Sequence, residues 1–260
     1  LGIEVPARDR MKKIMRSAVE TGTPFIFFRD TVNAANPNKH AGMIYASNLC
    51  HEIAQNVGFT NLDEEIINED GSITTTTKTG DMVTCNLNSI SLGRITDEEL
   101  EANIALQIRM LDNVISINQA PVPESRMTSD KYRAIGLGTS GYHHYLVNHN
   151  IQWESEEHLE VADRLFEDIA YYAIKASMEL AREKGAYPAF KGSEWESGEY
   201  FTRRGYTSDR WKQLATDVAK YGIRNGYLMA IAPTGSTSNI ANTTAGIDPI
   251  FKKFFIEKKK

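Results

Sequence analysis

The stretch Tyr227-Leu228-Met229-Ala230-Ile231-Ala232-Pro233-Thr234-Gly235-Ser236-Thr237-Ser238-Asn239-Ile240 decides the fold class. Its first six residues are apolar and of strand length, and they end at a proline, which cannot continue a central strand. Glycine and hydroxyl residues follow at once. A helix starting here would present unpaired first-turn N–H groups and the positive end of its dipole, which together make an anion site. Gly235 would let a ligand come close to the backbone. No lysine follows the loop, so it is not a nucleoside-triphosphatase P-loop of the GxxxxGK[ST] kind. By itself such a run is more often an ordinary Ser/Thr cap than a phosphate site.

Working outward, helical periodicities alternate with short apolar runs, the pattern of a mixed α/β protein. Ser208 opens a helix with Trp211, Leu214 and Val218 inward. A longer helix spans about Ser155 to Lys184, with Leu159, Ala162, Leu165, Phe166, Ile169, Tyr172 and Ala176 at helical spacing and Gly185 as its stop. Thr96 and Glu99 form a capping box for a helix that buries Leu100, Ile104, Ile108, Leu111 and Ile115. Pro6 to Gly22 is helical, with Met11, Ile14, Met15 and Ala18 on one face. Phe25–Phe28 and Met43–Tyr45 have strand length. The polar stretch 56–81, with its β-prone Gly71–Thr77, reads as an inserted hairpin or loop. No internal repeat or domain linker interrupts the chain.

The 260 residues, 41% hydrophobic and 24% charged, suit a soluble globular protein of one large domain or two small ones. No stretch reaches the roughly 20 apolar residues of a membrane span. The start, Leu1 to Pro6, has no secretory pattern; lacking an initiator Met, the chain reads as a fragment or a processed product. A net charge of −5 gives no general attraction to nucleic acid. The basic end, Lys252-Lys253 and Glu257 to Lys260, reads as an exposed tail.

Two cysteines, Cys50 and Cys85, cannot form a disulfide framework or an all-cysteine zinc site. Reduced thiols in the cytoplasm are expected. Ser47-Asn48-Leu49-Cys50-His51-Glu52-Ile53 places an amide, a thiol and a carboxylate at i, i+2 and i+4, which in an extended chain point to one side. That arrangement can aim a sulfur and two hydrogen-bonding groups at one small substrate. For a lone Cys an inert buried residue is the commoner alternative. His51 points the other way and reads as structural. Cys85, in Thr84-Cys85-Asn86-Leu87-Asn88-Ser89-Ile90, is open between a core residue and a redox thiol.

Gly136-Leu137-Gly138-Thr139-Ser140-Gly141 matches G-x-G-x-x-G, but a lone match is weak, and the polar Ser129–Arg133 before it leaves little room for the required strand. A turn and tight packing are expected there rather than dinucleotide binding. The adjacent His143 and His144 cannot face one metal from a helix, so no metal site is expected.

Four of these segments, in this order, resemble class I ribonucleotide reductase large subunits. Ser47–Ile53 is similar to their S-N-L-C-x-E-I signature, and Thr84–Gly93 to their second cysteine segment. Pro233–Ser238 with Asn242–Pro249 resembles their phosphate loop and its continuation, and Ile135–Gly141 their glycine-rich turn. The resemblance spans nearly the whole chain. It implies that residues 1–260 are a partial catalytic domain, part of a ten-stranded α/β barrel with the active-site cysteine on a finger loop. It also implies roles for individual residues. Cys50 is the thiyl-radical cysteine. Asn48 and Glu52 hold the ribose 2′- and 3′-hydroxyls, with Glu52 as general base. Cys85 is one of two reducing cysteines. Ser47 and Thr234, Gly235, Ser236 and Thr237 bind substrate, the latter four through its phosphates.

The implied substrate is a ribonucleoside diphosphate. The radical would come from a metal-containing small subunit, electrons from a dithiol reductant of thioredoxin or glutaredoxin type, and the remaining parts of the large subunit from elsewhere. No cofactor is expected in this segment. The second reducing cysteine, the N-terminal allosteric regions and the downstream tyrosine pair of the radical path are not matched here. Tyr171-Tyr172 sits mid-helix and does not take the last role. A cobalamin-dependent reductase, in which Asn-Pro-Cys would replace Asn-Leu-Cys, is the alternative within the superfamily. A non-catalytic assembly piece with a vestigial site is the alternative outside it.

Overall fold

The computed structural model describes residues 4–254 and Ile256; Leu1–Ile3 and the basic end Glu257–Lys260 lie outside the described residues. Helix α1 (Ala7–Thr21) stops at Gly22, whose φ of 74° reverses the chain, and α2 (Arg29–Ala34) follows. Strands β1 (Asn61–Ile67) and β2 (Ile73–Lys78) pair antiparallel. Then come β3 (Leu87–Ser91), α3 (Leu100–Ile117), α4 (Pro123–Tyr132) and β4 (Gly136–Ser140). Helices α5 (Tyr142–Asn148), α6 (Glu156–Lys184), α7 (Glu194–Ser197), α8 (Glu199–Arg203), α9 (Asp209–Tyr221) and α10 (Gly235–Ile240) complete the order.

The helices follow their periodicity. The Thr96 N–H donates to the Glu99 carboxylate at 3.0 Å, as a capping box requires. Helix α3 then buries Leu100, Ile104, Ile108, Leu111 and Ile115. Ser155 caps α6, its hydroxyl accepting from the His158 N–H at 3.1 Å. Helices α3 and α9 both pack on α6, and Trp211, Leu214 and Val218 point into the core. Leu159 departs from expectation and is exposed, because the inward stripe of α6 passes through His158, Val161 and Leu165.

Strands β3 and β4 run parallel, Leu87 opposite Gly136 and Ser91 opposite Ser140. Residues 227–230 continue the parallel arrangement on the other edge of β4. The Leu137 N–H donates to the Leu228 carbonyl at 2.8 Å, and the Ala230 N–H donates to the Leu137 carbonyl at 3.0 Å. Parallel strands need long crossovers, and here helices supply them, which makes the fold α/β. The expected turn at Gly136–Gly141 is therefore corrected. Five of its residues are a fully buried strand, and only Gly141 (φ 74°) turns. Tight packing is the reason for glycine: a Cβ on Gly138 would stand 2.3 Å from the Ala230 carbonyl oxygen.

The expected partial barrel is seen only in part, two expected strands are absent, and the inserted hairpin is present. Among the described residues the strands make two two-stranded sheets and no closed barrel; closure needs every edge paired, and the outer edge of β3 has no neighbour. Phe25–Phe28 and Met43–Tyr45 form no strands. The Asn33 side chain occupies the backbone groups of Ile44 instead, accepting from its N–H at 2.9 Å and donating to its carbonyl at 2.7 Å. The polar stretch is a hairpin, and every residue of β1 and β2 is exposed. Among the described residues no helix is long and apolar enough to cross a membrane.

Candidate active site

The Ser47–Ile53 segment is not extended, as its spacing alone suggested, but forms a tight turn. The His51 N–H donates to the Asn48 carbonyl at 3.1 Å, and His51 takes a left-handed φ of 69°. The imidazole rests between Phe25 and Phe27, ring centroids 5.4 and 5.2 Å away, so it anchors the turn and leaves the chemistry to its neighbours. Ser47 and Asn48 close the base: the Ser47 hydroxyl donates to the Ile53 carbonyl at 2.6 Å, and the Asn48 side-chain oxygen accepts from the Ile53 N–H at 3.1 Å. Cys50 lies exposed at the tip.

The turn brings two of the three expected side chains, Asn48 and Glu52, together. The Asn48 amide nitrogen donates to Glu52 Oε1 at 2.8 Å and reaches Cys85 Sγ at 3.7 Å. One amide thus joins the carboxylate to the second thiol. Glu52 Oε2 is buried and has no partner among the described residues, so a carboxylate oxygen is left free to accept a hydrogen bond. Cys85 is held from behind. Thr84 and Ser129 hydroxyls meet at 3.2 Å, and the Asn86 side chain donates to the Leu111 carbonyl at 2.9 Å. Burial pushes the Cys85 thiol pKa up, and the Glu52 carboxylate adds to the rise; the Asn48 hydrogen bond opposes it, and Cys50 contributes a further increase. At neutral pH this sulfur keeps its hydrogen.

The second group of residues stands apart. Two residues separate helix α10 from the 227–232 stretch, a helix start that the sequence leaves conditional, and Thr234 sits at its N-cap position. The Thr234 hydroxyl accepts from the Gly246 N–H at 2.8 Å, and its carbonyl accepts from the Ser238 N–H at 2.8 Å. Gly235, Ser236 and Thr237 are exposed, and a Cβ on Gly235 would meet nothing within 4 Å. The loop is braced by the segment after it. The Gly141 N–H donates to the Thr244 carbonyl at 2.7 Å, and His144 Nδ1 pairs with the Thr243 hydroxyl at 2.9 Å. His143 stacks on Trp153 and accepts from the Ile250 N–H at 3.0 Å. The histidine pair and the glycine-rich stretch are thus the scaffold of this loop, a role their sequence pattern did not disclose.

The structure therefore joins Asn48, Glu52 and Cys85 directly, puts Cys50 and Ser47 on the same turn, and places Thr234–Thr237 in a separate group. The 227–232 stretch connects the two. Glu52 and Tyr227–Ala230 line one cavity of about 480 Å³, together with Ile44, Trp195, Tyr200 and Arg204. Thr234 follows Ala230 by four residues, about 13 Å at the ~3.3 Å rise of an extended strand.

Residues 2–260 match the family model described as "Ribonucleotide reductase, barrel domain". The chain is 53% identical over 262 residues to the ribonucleoside-diphosphate reductase subunit alpha of Treponema pallidum, covering 98% of this chain and 31% of that protein. The subunit alpha of Helicobacter pylori is 38% identical, with 98% and 39% covered. The ribonucleoside-diphosphate reductase large subunit of vaccinia virus is 30% identical, with 98% and 32% covered. The chain spans about a third of the length of these relatives.

Proposed function

The chain belongs to the ribonucleotide reductase barrel-domain family, and from that premise we propose that it is the catalytic segment of a subunit reducing ribonucleoside diphosphates to deoxyribonucleoside diphosphates. One observation carries the reading: a single Asn48 amide hydrogen-bonds both the Glu52 carboxylate and the Cys85 thiol, on the turn that presents Cys50. In this reading Cys50, as a thiyl radical, takes the hydrogen atom from ribose C3′. Asn48 and Glu52 bind the two ribose hydroxyls, and the free oxygen of Glu52 accepts the 3′-OH proton as general base. The C2′–O bond breaks, and its oxygen leaves as water. Cys85 and a second cysteine supply two hydrogens, one to the departing water and one to C2′, and become a disulfide that a dithiol protein of thioredoxin or glutaredoxin type reduces. A thiol kept protonated suits that donation. Cys50 returns its hydrogen to C3′, and Glu52 its proton to the 3′ oxygen.

The exposed N–H groups at Gly235–Thr237 receive the diphosphate, and Ser47 supports the substrate side of the turn. A metal-containing small subunit supplies the radical. Within the complete cytoplasmic subunit, residues 1–260 form one partial domain. There β3, β4 and the 227–232 stretch are strands of the ten-stranded barrel, and the Ser47–Ile53 turn is its finger loop.

The test is turnover of CDP to dCDP by the complete subunit carrying this segment, with its radical-generating partner and a dithiol. Cys50→Ser should abolish even a single turnover. Normal turnover by a folded Cys50→Ser protein would end the assignment.

A further inference from the structure

The two groups of the candidate site are joined at one point. Among the described residues, the direct hydrogen bond between the 47–57 stretch and the 225–250 stretch is that from the Asn56 N–H to the Tyr227 hydroxyl, at 3.2 Å. Both residues sit in a buried amide–phenol lattice. The Tyr227 hydroxyl donates to Asn36 Oδ1 at 3.2 Å, and the Asn36 amide donates to Asn56 Oδ1 at 2.7 Å, closing a three-membered ring. The Asn56 amide donates to the Asn38 carbonyl at 2.9 Å and the Tyr132 hydroxyl at 3.3 Å. The Asn38 amide donates to the Gly226 carbonyl at 2.9 Å, beside Tyr227. Asn36, Asn38 and Asn56 are all essentially inaccessible to water.

The lattice has leverage on the chemistry through its position in the chain. Asn56 follows Glu52 by four residues, and Ile53 and Gln55 between them are buried, so the connection is stiff. Tyr227 opens the stretch that ends at the 233–238 loop, and Tyr227 and Glu52 line the same cavity. We propose that Asn56 and Tyr227 are a positioning pair, fixing the distance between the Asn48–Glu52 turn and the diphosphate-binding loop. The proposal rests on the reductase reading. Neither residue touches substrate; each acts through the backbone it holds. Burial raises the Tyr227 pKa, so the hydroxyl remains a donor across the working range. A misplacement of about 1 Å between bound substrate and reacting group costs on the order of 100-fold in rate.

Tyr227→Phe keeps the ring and removes only the hydroxyl. In the complete subunit with its radical partner, kcat should fall at least about 10-fold while the KM for CDP changes less than about 2-fold. The loop would still hold the diphosphate, but the turn would be misplaced. Asn56→Ala keeps the backbone N–H that donates to Tyr227 and removes only the side-chain half of the ring, so it should show the same split in smaller measure. A purely structural role predicts a lower melting temperature with wild-type kcat below it. Wild-type kcat in Tyr227→Phe, or kcat and KM changing in proportion, overturns the proposal. Cys50→Ser in the same assay separates the readings. If it is inactive and Tyr227→Phe is normal, only the positioning pair fails; if Cys50→Ser turns over, the reductase reading fails with it.

Discussion

Helices α1 and α3 make an instructive pair. Both carry apolar residues at helical spacing, yet α3 buries six residues and α1 buries none. The contrast extends to their surroundings. Residues beyond Leu87 pack into one apolar core of α3, α6, α9 and the parallel strands. In the 4–82 stretch, Met11, Met15, Val19, Phe25, Ile26 and Phe28 face outward, and most of what is buried is amide: Asn36, Asn38, Gln55 and Asn56. The front of the chain is therefore joined to the core largely by hydrogen bonds, and it turns its apolar face elsewhere. Amphipathicity specifies that a face has a partner; it does not specify a partner within the same segment.

The sharpest way to break that contrast is to disturb the core at a fully buried carboxylate. Asp112 is 0% exposed and faces Arg133 at 2.7 Å, Arg224 at 3.2 Å and Lys184 at 3.5 Å. Asp112→Ala leaves three cations around an empty position. It should cost about 3–5 kcal/mol in urea unfolding, the usual penalty for orphaning a buried charge. A loss below about 1 kcal/mol would mean that water reaches this cluster and that the core is looser than its packing indicates.

Paired truncations measure the contrast directly. Ile104 is 0% exposed and Val19 is 84% exposed. Ile104→Ala should destabilise the chain by about 2–5 kcal/mol. Val19→Ala should stay within about 0.5 kcal/mol, as surface changes do. If the complete subunit covers α1, the Val19 change should gain a cost there that it lacks in this chain. Equal values in both settings would show that the α1 face is solvated in the complete subunit as well.

What the sequence disclosed follows the same division. Periodicity located α1, α3, α6 and α9 alike, but the predicted face is buried only where its partner lies within the chain, and Thr96 with Glu99 marked a real helix start. Periodicity could not find β4, where Leu137 is the single large apolar residue and close approach of the Ala230 backbone, not hydrophobic content, sets the strand. Phe25–Phe28 has the composition of a strand and no neighbouring strand to bond. At the site, Asn48, Glu52 and Cys85 were legible through short motifs, although a turn rather than an extended chain brings them together. Tyr227 and Asn56 were not, because a hydrogen bond across 171 residues leaves no local pattern.

The smallest expected effect lies at the seam, where the Ser47–Ile53 turn meets the exposed Cys85. Burial is the leading cause of the raised Cys85 pKa, the Glu52 carboxylate is next, and the Asn48 hydrogen bond opposes both. These causes have opposite signs, so two variants should move one titration in opposite directions. Glu52→Gln removes a negative charge beside the sulfur, which favours the thiolate, and the midpoint for Cys85 alkylation should fall. Asn48→Ala removes a donor that favours the thiolate, and the midpoint should rise. Unfolding in urea removes the burial and should return the midpoint to the ordinary thiol range near about 8.5. Iodoacetamide labelling against pH, with Cys85 and Cys50 peptides quantified separately by mass spectrometry, reads all three. If both variants shift the midpoint the same way, the turn has moved away from Cys85 as a body, and the shared Asn48 amide is not what couples the two groups. Opposite shifts would place that coupling in the side chains themselves, where the proposed chemistry requires it.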